Sequence, residues 1–239
     1  MLPDENVEDL MIDNLKIIQK KESFRFGTDS ILLSLFVNFK GKKRVLDIGT
    51  GSGIIPTLLS YKNKESVFTG LEIQEEIADM AMRSVQLNNL NDRISIVNGD
   101  VKNITDYFNK ASFDVVVTNP PYKKLGTGLR NENDSNATAR HEVFCTLDDV
   151  IKGAALMLRP KGTFYMVNRP ERLADTLVSL RKHRLEPKVI RFVHAKYTSS
   201  PVLFLLQATL YGGENLRIEP PLLIDPELSC KMIAEKVNL

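Results

Sequence analysis

The segment Asn119-Pro120-Pro121-Tyr122 has the residue types that most directly predict chemistry. Two successive prolines fix both φ angles and remove two backbone donors. The loop they form presents two acceptors, the Asn119 amide oxygen and the Pro120 carbonyl oxygen, beside the flat ring of Tyr122. These four residues are therefore the candidate catalytic set.

Such a loop suits an amino group whose nitrogen lone pair is delocalised into a ring or a carbonyl. Two acceptors that take both N–H groups would draw the nitrogen towards tetrahedral geometry and stabilise the positive charge that develops on it. Stacking on Tyr122 would orient the planar group. A strong general base is not required, because the alkylated nitrogen is acidic enough to lose a proton to water. In an arbitrary protein Asn-Pro-Pro is usually only a turn, so its meaning depends on the neighbouring motifs.

A glycine-rich turn, Asp47–Gly53, follows an apolar strand-like run and precedes a helical pattern. Its glycines, Gly49, Gly51 and Gly53, allow a tight turn and a close approach of the backbone to a ligand. The spacing is G-x-G-x-G, with Ile54 where the dinucleotide pattern places its third glycine. No Lys-Ser/Thr pair follows, which excludes a P-loop.

Two acidic residues follow the next two predicted strands. Glu72 lies 25 residues after Asp47, where a carboxylate can accept both hydroxyls of a ribose. Asp100 could receive the exocyclic amine of an adenine, and Ile73 and Val101 could sandwich the purine ring. Each acid alone is more often a loop carboxylate or a helix cap. Their placement at successive strand ends, where ligands of such sheets bind, favours a nucleoside site.

These motifs resemble those of the class I, Rossmann-like S-adenosylmethionine-dependent methyltransferases, over roughly residues 24–211. The resemblance implies S-adenosylmethionine as cofactor, with Glu72 on the ribose, Asp100 on the adenine amine and the glycine turn on the methionine portion. The stretch Phe26–Asp29 also resembles an upstream cofactor loop of some amino-methylating members, although a helix cap at Thr28 or Asp29 explains it nearly as well. The predicted cofactor-binding residues are Thr28, Asp29, Asp47, Gly49, Gly51, Gly53, Glu72, Ile73, Asp100, Val101 and Asn119.

The Asn-Pro-Pro-Tyr segment matches the signature of methyltransferases that modify adenine N6, guanine N2 or glutamine N5. The glutamine enzymes carry a helical N-terminal domain and the ribosomal guanine enzymes an auxiliary domain, and we expect neither here. The chain is more similar to the compact bacterial enzymes that methylate N6 of the adenine 3′ of the anticodon in a valine tRNA. Those enzymes have a long polar loop with Arg-His-Glu, which corresponds to Arg140-His141-Glu142.

The resemblance implies an RNA substrate, in particular a tRNA, and a loop that closes over an extruded base. A disordered surface loop is the alternative interpretation. Two alternatives stay open. The chain could instead methylate a protein glutamine or an rRNA guanine, or it could be a catalytically silent methyltransferase fold that only binds RNA. The predicted substrate-binding residues are Tyr122, Lys123, Lys124, Arg140 and His141.

Composition and charge exclude several other classes of protein. The net charge of the 239 residues is only +2, but residues 169–196 hold eight Lys or Arg against three acids, which favours a phosphate-bearing ligand. Cys145 and Cys230 are the only cysteines, so neither a disulfide framework nor a metal site is expected. No apolar stretch is long enough to cross a membrane. We expect a cytoplasmic protein without a secretory signal, and favour a monomer.

The pattern of elements predicts an α/β fold with a Rossmann-like, doubly wound, mostly parallel seven-stranded sheet. Strand-like runs at 44–48, 66–73, 93–97, 113–118 and 162–167 alternate with helical patterns. Two later runs, 188–194 and 202–210, are joined by a short connector and should pair antiparallel. We expect an N-terminal extension at 1–42 that packs on a methyltransferase domain at 43–211. Residues 212–239 are expected to form an extended tail, with a short terminal helix at most.

Overall fold

The computed structural model describes residues 2–21, 27–120 and 145–224. The strands in these residues are β1 Glu5–Asp9, β2 Lys16–Lys20, β3 Arg44–Ile48, β4 Val67–Glu72, β5 Ile94–Asn98, β6 Phe113–Thr118, β7 Leu158–Asn168, β8 Leu185–His194, β9 Pro201–Leu210 and β10 Arg217–Leu223. The α-helices are α1 Thr28–Phe36, α2 Ile54–Lys62, α3 Glu75–Leu87, α4 Ile104–Tyr107, α5 Leu147–Met157 and α6 Leu173–Lys182. Short 3₁₀ helices span Val101–Asn103 and Pro170–Arg172.

Eight strands form the central sheet, in the order β10-β8-β9-β7-β6-β3-β4-β5. Strands β5, β4, β3, β6 and β7 run parallel to one another, and β9 runs antiparallel between β7 and β8. The Rossmann-like α/β fold and the antiparallel pairing of the two late strands are therefore confirmed. The predicted count of seven strands in this sheet is wrong, because β10 adds an eighth.

The additional strand, β10, lies where an extended tail was predicted. It pairs parallel with β8 at the edge of the sheet, and its register shifts between Glu219 and Leu222, where Pro220 and Pro221 stand. Prolines lack the amide hydrogen that a central strand donates, so the Pro-Pro pair argues against a strand in the sequence. An edge strand with a register shift tolerates it. The part of the tail beyond residue 224 lies outside the described residues.

The sheet is buried on both faces, as a parallel sheet requires. Neighbouring residues of one strand enter different cores: Val45 and Val115 pack with α1 and α2, whereas Leu46 and Val116 pack with α5 and α6. The first core extends into the N-terminal segment through a run of buried residues, which are Leu10, Ile12, Leu15 and Ile17.

The N-terminal hairpin, formed by β1 and β2, packs against α3. Glu5 is 2% exposed and forms a two-pronged ion pair with Arg83 of α3, at 2.6 and 2.7 Å. This pairing lowers the pKa of Glu5 to about 2. The Ile18 amide donates to Ser84 Oγ at 3.0 Å, which fixes β2 along the same helix.

Helix α1 begins at Thr28 as predicted, but its cap differs from the prediction. The N-cap residue is Gly27 rather than Thr28 or Asp29. At the other end, the Lys62 ammonium of α2 donates to the carbonyls of Ser34 and Leu35, at 2.8 and 3.2 Å. The last turn of α1 is thereby fixed on α2. No helix in the described parts of the chain is long and apolar enough to span a membrane.

Candidate active site

The carboxyl ends of four adjacent strands bring most of the described candidates to one edge of the sheet. In the order β6-β3-β4-β5, Ile48 pairs with both Thr118 and Leu71, and Glu72 pairs with Asn98. The glycine turn, Glu72, Asp100 and Asn119 all follow these positions directly. This is the edge at which doubly wound sheets bind their ligands.

The glycine turn between β3 and α2 is an open cradle. Gly49, Gly51 and Gly53 have φ angles of 73°, 55° and 81°, a region that favours glycine. The amides of Gly49 and Thr50 both donate to the Leu71 carbonyl, at 2.8 and 3.0 Å. A Cβ atom built on Gly49 or Gly51 would meet nothing within 4 Å, so the backbone of the turn borders open space where a ligand can approach.

Asp47 is the buried carboxylate beneath this turn. It is 1% exposed, and its Oδ2 accepts a hydrogen bond from the Thr50 hydroxyl at 2.7 Å. Its Oδ1 is buried without a hydrogen-bond partner in the described part of the chain. Burial, assisted by the nearby charge of Glu72, raises the pKa of Asp47 to about 7. An orphaned carboxylate oxygen beside an open cradle fits a ligand that brings a cationic hydrogen-bond donor.

Glu72 fastens the glycine turn to the end of β4. Its Oε2 accepts the Gly51 amide at 3.0 Å, and its Oε1 accepts the Gln74 amide at 3.0 Å. The residue is 1% exposed. Each carboxylate oxygen retains a further lone pair, and these are what a ribose would have to use. The predicted role on a ribose stays a prediction, whereas the role in shaping the turn is present in the fold.

The third acid, Asp100, begins the 3₁₀ helix after β5. Its Oδ1 accepts the Lys102 amide at 2.9 Å, so it is a helix cap, the plainer of the two interpretations of this residue. Val101 is buried at 7% exposure, and Ile73 is half-buried at the end of β4. Asn98 joins the two strand ends, because its Nδ2 donates to the carbonyls of Glu72 and Ile73. The structure thus brings Ile73, Asp100 and Val101 to the ends of two adjacent strands. The predicted contact of Asp100 with an adenine stays a prediction.

Asn119 follows β6 and is connected to helix α1. Its Nδ2 donates to the Ser30 hydroxyl at 3.2 Å, across 89 positions of sequence, and Ser30 is only 4% exposed. Asn119 is half-buried and Pro120 is buried. The Thr118 hydroxyl donates to the Ile48 carbonyl at 2.9 Å, which holds the end of β6 against β3. Because the amide nitrogen is turned towards Ser30, the Oδ1 atom faces the opposite side of the amide.

Of the remaining predicted residues, two precede Ser30 in α1 and six lie outside the described parts of the chain. Thr28 is exposed and Asp29 half-buried in the first turn of α1. No group of three or more His, Cys, Asp or Glu side chains within the described ranges could hold a metal ion. Cys145 is half-buried, and burial raises the pKa of its thiol to about 11, which keeps it protonated. The predicted residues that lie outside the described ones are Pro121, Tyr122, Lys123, Lys124, Arg140 and His141.

A shallow cavity of about 150 Å³ lies at the amino ends of the parallel strands, and none of the predicted site residues lines it. Arg44 and Arg93 line it, and each lies over a phenylalanine ring, Phe113 at 5.5 Å and Phe68 at 6.0 Å. The two guanidinium groups are engaged in packing there, and the cavity lies at the amino ends of the strands, away from the glycine turn.

Two residues of the site are absent from the sequence-based prediction, Ser30 and Thr50. Thr50 lies inside the glycine motif, and its bond to Asp47 three residues earlier is a local turn contact that the spacing could have suggested. Ser30 stands next to Asp29, but its contact with Asn119 joins distant parts of the chain, which periodicity and spacing do not reveal.

Curated relatives are similar to this chain over three fifths to three quarters of its length. A protein of Bacteroides thetaiotaomicron, named tRNA1(Val) (adenine(37)-N6)-methyltransferase, is 34% identical over 62% of this chain and 60% of its own length. A protein of Phocaeicola vulgatus with the same name is 27% identical over 77% of this chain and 76% of its own. The chain thus matches about three fifths of the length of the first of these relatives.

Solved structures share the fold. One from Agrobacterium tumefaciens, described as a predicted O-methyltransferase, has a TM-score of 0.70 at 20% identity and covers 88% of this chain and 95% of its own. TrmN from Thermus thermophilus has a TM-score of 0.52 at 19% identity, over 76% of this chain and 48% of its own. The family model of the methyltransferase small domain matches residues 18–186. With the glycine turn and Asn119 at the same sheet edge, this match shows that the chain belongs to the methyltransferase small domain family.

Proposed function

We propose that this protein transfers a methyl group from S-adenosylmethionine to the exocyclic N6 amine of an adenine in RNA, next to the anticodon of a tRNA. The observation that carries the proposal is the position of Asn119, directly after β6 at the edge that holds the glycine turn. Curated relatives named as tRNA1(Val) adenine-N6 methyltransferases support the choice of acceptor. A tRNA substrate supports the proposal that the protein is cytoplasmic.

The described residues fit the proposed cofactor. When bound, S-adenosylmethionine supplies an electrophilic methyl group on a sulfonium. The unpartnered Asp47 Oδ1 suits the ammonium group of its methionine portion, and the open backbone at Gly49 and Gly51 admits that portion closely. Binding a cation there favours the ionised carboxylate, whose pKa burial raises to about 7.

Asn119 and Pro120 act on the acceptor amine. The Asn119 Oδ1 and the Pro120 carbonyl accept the two N–H groups of the adenine amine, which favours localisation of its lone pair on nitrogen. Held there, the nitrogen would receive the methyl group that the cofactor supplies when bound, with the neutral thioether as the leaving group. The extra proton on nitrogen then passes to water. Ser30 holds the Asn119 amide in the orientation that this requires.

Replacement of Asn119 tests this assignment. Asn119→Ala should lower the methylation rate of an unmodified tRNA transcript roughly 100- to 1,000-fold, because one of two transition-state acceptors is removed. The Kd of S-adenosylmethionine, measured by calorimetry, should change little. If cofactor affinity collapsed while the rate at saturation persisted, Asn119 would be a cofactor residue and the proposed role on the amine would be wrong.

A further inference from the structure

The turn between β8 and β9, residues 195–200, stands beyond the edge of the sheet that carries the site. Thr118 at the end of β6 pairs with Met166 of β7, and Met166 pairs with Leu206 of β9. Five more residues lead from Leu206 back to Pro201, where β9 begins. At about 3.3 Å per residue the turn rises roughly 16 Å past the level of Thr118, displaced by two strand spacings of about 4.8 Å each.

This turn is held by its own hydrogen bonds. The Ser199 amide and hydroxyl both donate to the Lys196 carbonyl, at 3.0 and 2.8 Å, and the Lys196 amide donates to Ser199 Oγ at 3.2 Å. The His194 Nδ1 atom lies 2.8 Å from the Ser199 carbonyl oxygen. The turn therefore presents its outer residues from a fixed backbone, which lowers the entropic cost of binding through them.

An aromatic ring and a cation occupy the outside of the turn. Tyr197 is 76% exposed, and Lys196 beside it is also exposed. A flat ring on a fixed turn, next to an ammonium group, combines the two elements that bind single-stranded nucleic acid: a face on which a base stacks and a charge for the phosphate.

Other cations of the basic stretch at 169–196 have partners within the protein. Arg181 pairs with Glu186 at 2.9 Å and Lys182 with Asp148 at 2.8 Å. The side chain of Lys188 donates to the Gly213 carbonyl and that of Arg191 to the Pro220 carbonyl. The stretch is therefore not one uniform basic face. Its last cation, Lys196, lies in the β8–β9 turn beside the exposed ring of Tyr197.

We propose that the β8–β9 turn is an RNA-contact element, in which Tyr197 stacks on an unpaired base flanking the reacting adenine and Lys196 contacts a phosphate. The inference rests on the proposed function. It specifies single-stranded RNA beside the target nucleotide, as in an anticodon loop, because a base inside a duplex offers no free face for stacking.

Tyr197→Ala should weaken binding of a fluorescent, unmodified tRNA(Val) transcript about tenfold, through loss of one stacked base. The Kd of S-adenosylmethionine and the rate at saturating RNA should be unchanged. Tyr197→Phe should bind as the parent protein does, because the ring face is kept. Lys196→Ala should make the negative slope of the logarithm of the RNA association constant against the logarithm of salt concentration shallower by about one.

Tyr211 provides a matched control. It is 58% exposed and follows the far end of the same strand, β9, at the opposite edge of the sheet, so Tyr211→Ala should leave RNA binding unchanged. Wild-type affinity in Tyr197→Ala, with the parent protein methylating the transcript normally, would overturn this inference alone. If the parent protein neither bound nor methylated tRNA but labelled a protein glutamine, the proposed function would fail and this inference with it.

Discussion

Single hydrogen bonds decide how the functional groups of this site face a ligand. The Asn119 amide has its nitrogen on Ser30, and the Asp47 carboxylate has one oxygen on Thr50 and the other without a partner in the described chain. In each side chain one atom is fixed by a hydroxyl partner, Ser30 for Asn119 and Thr50 for Asp47.

Ser30 is the positioning residue for Asn119. Ser30→Ala should lower the methylation rate about ten- to a hundredfold, because the amide can rotate away from the geometry needed for transfer. The KM for RNA and the Kd of S-adenosylmethionine should stay near their parent values. Ser30→Thr, which keeps the hydroxyl, should recover most of the rate.

Ser34 is the control, since it is also buried in α1, one turn later, and donates to the Ser30 carbonyl at 2.8 Å. Ser34→Ala should leave the rate nearly unchanged. Equal losses in the Ser30→Ala and Ser34→Ala variants would mean that α1 is merely destabilised.

Asp47 should make the ligand-free protein less stable as the pH rises. Its folded pKa of about 7 lies above the ordinary value of 3.8, so the folded protein holds a proton that the unfolded chain releases. This penalty develops between about pH 4 and pH 7 and is complete above that range. Asp47→Asn should therefore raise the free energy of unfolding at pH 8 by about 1–3 kcal/mol, an advantage that fades near pH 4.

The same variant should bind S-adenosylmethionine more weakly, because it lacks the carboxylate charge. Urea unfolding across this pH range, together with calorimetric titration of the cofactor, measures both effects. A stability difference independent of pH, or an unchanged cofactor affinity, would contradict the role given to Asp47.

At the scale of elements, the site depends on close packing between β4 and the glycine turn. A Cβ atom on Gly70 of β4 would lie 2.7 Å from Thr50 Cγ2 and 2.9 Å from Ile96 Cδ1. Thr50 has little freedom to move, since its amide and its hydroxyl are both bonded. Gly70→Ala should therefore displace the turn, lower cofactor affinity about tenfold and destabilise the fold by about 1–3 kcal/mol.

Gly213→Ala is the comparison for this prediction, because a Cβ there meets nothing within 4 Å. Thermal unfolding and cofactor titration of both variants provide the measurement. The packing argument would be wrong if Gly70→Ala bound the cofactor as tightly as Gly213→Ala.

The elements could be predicted from the sequence where burial imposes a clear pattern. Strands such as β3 and β6 are short apolar runs buried on both faces, and the helical face of α5 follows a regular period. Strand β10 escaped prediction because it is an edge strand with a Pro-Pro pair and little burial. The contact between Ser30 and Asn119 escaped because it forms only when α1 has packed on the folded sheet.

In the molecule as a whole, the charged side chains are nearly balanced, and several of them form ion pairs away from the candidate site. The net charge of +2 does not describe the surface that an RNA would meet, because many cations of the stretch at 169–196 bond within the fold. We expect RNA recognition to depend on the carboxyl ends of the strands, where the glycine turn and Asn119 lie, and on the β8–β9 turn, which extends beyond them. The affinity for RNA should fall as the salt concentration rises, and the steepness of this fall should correspond to a small number of phosphate contacts.

Identification of the methylated nucleoside would show directly whether this protein methylates adenine N6 in tRNA. The protein is incubated with methyl-labelled S-adenosylmethionine and tRNA from cells that lack the modification, and the RNA is digested and its nucleosides separated. We expect label in N6-methyladenosine, at the adenosine 3′ of the anticodon, and loss of that label with Asn119→Ala. Label in guanosine or in a protein glutamine, or no transfer to any substrate, would contradict it.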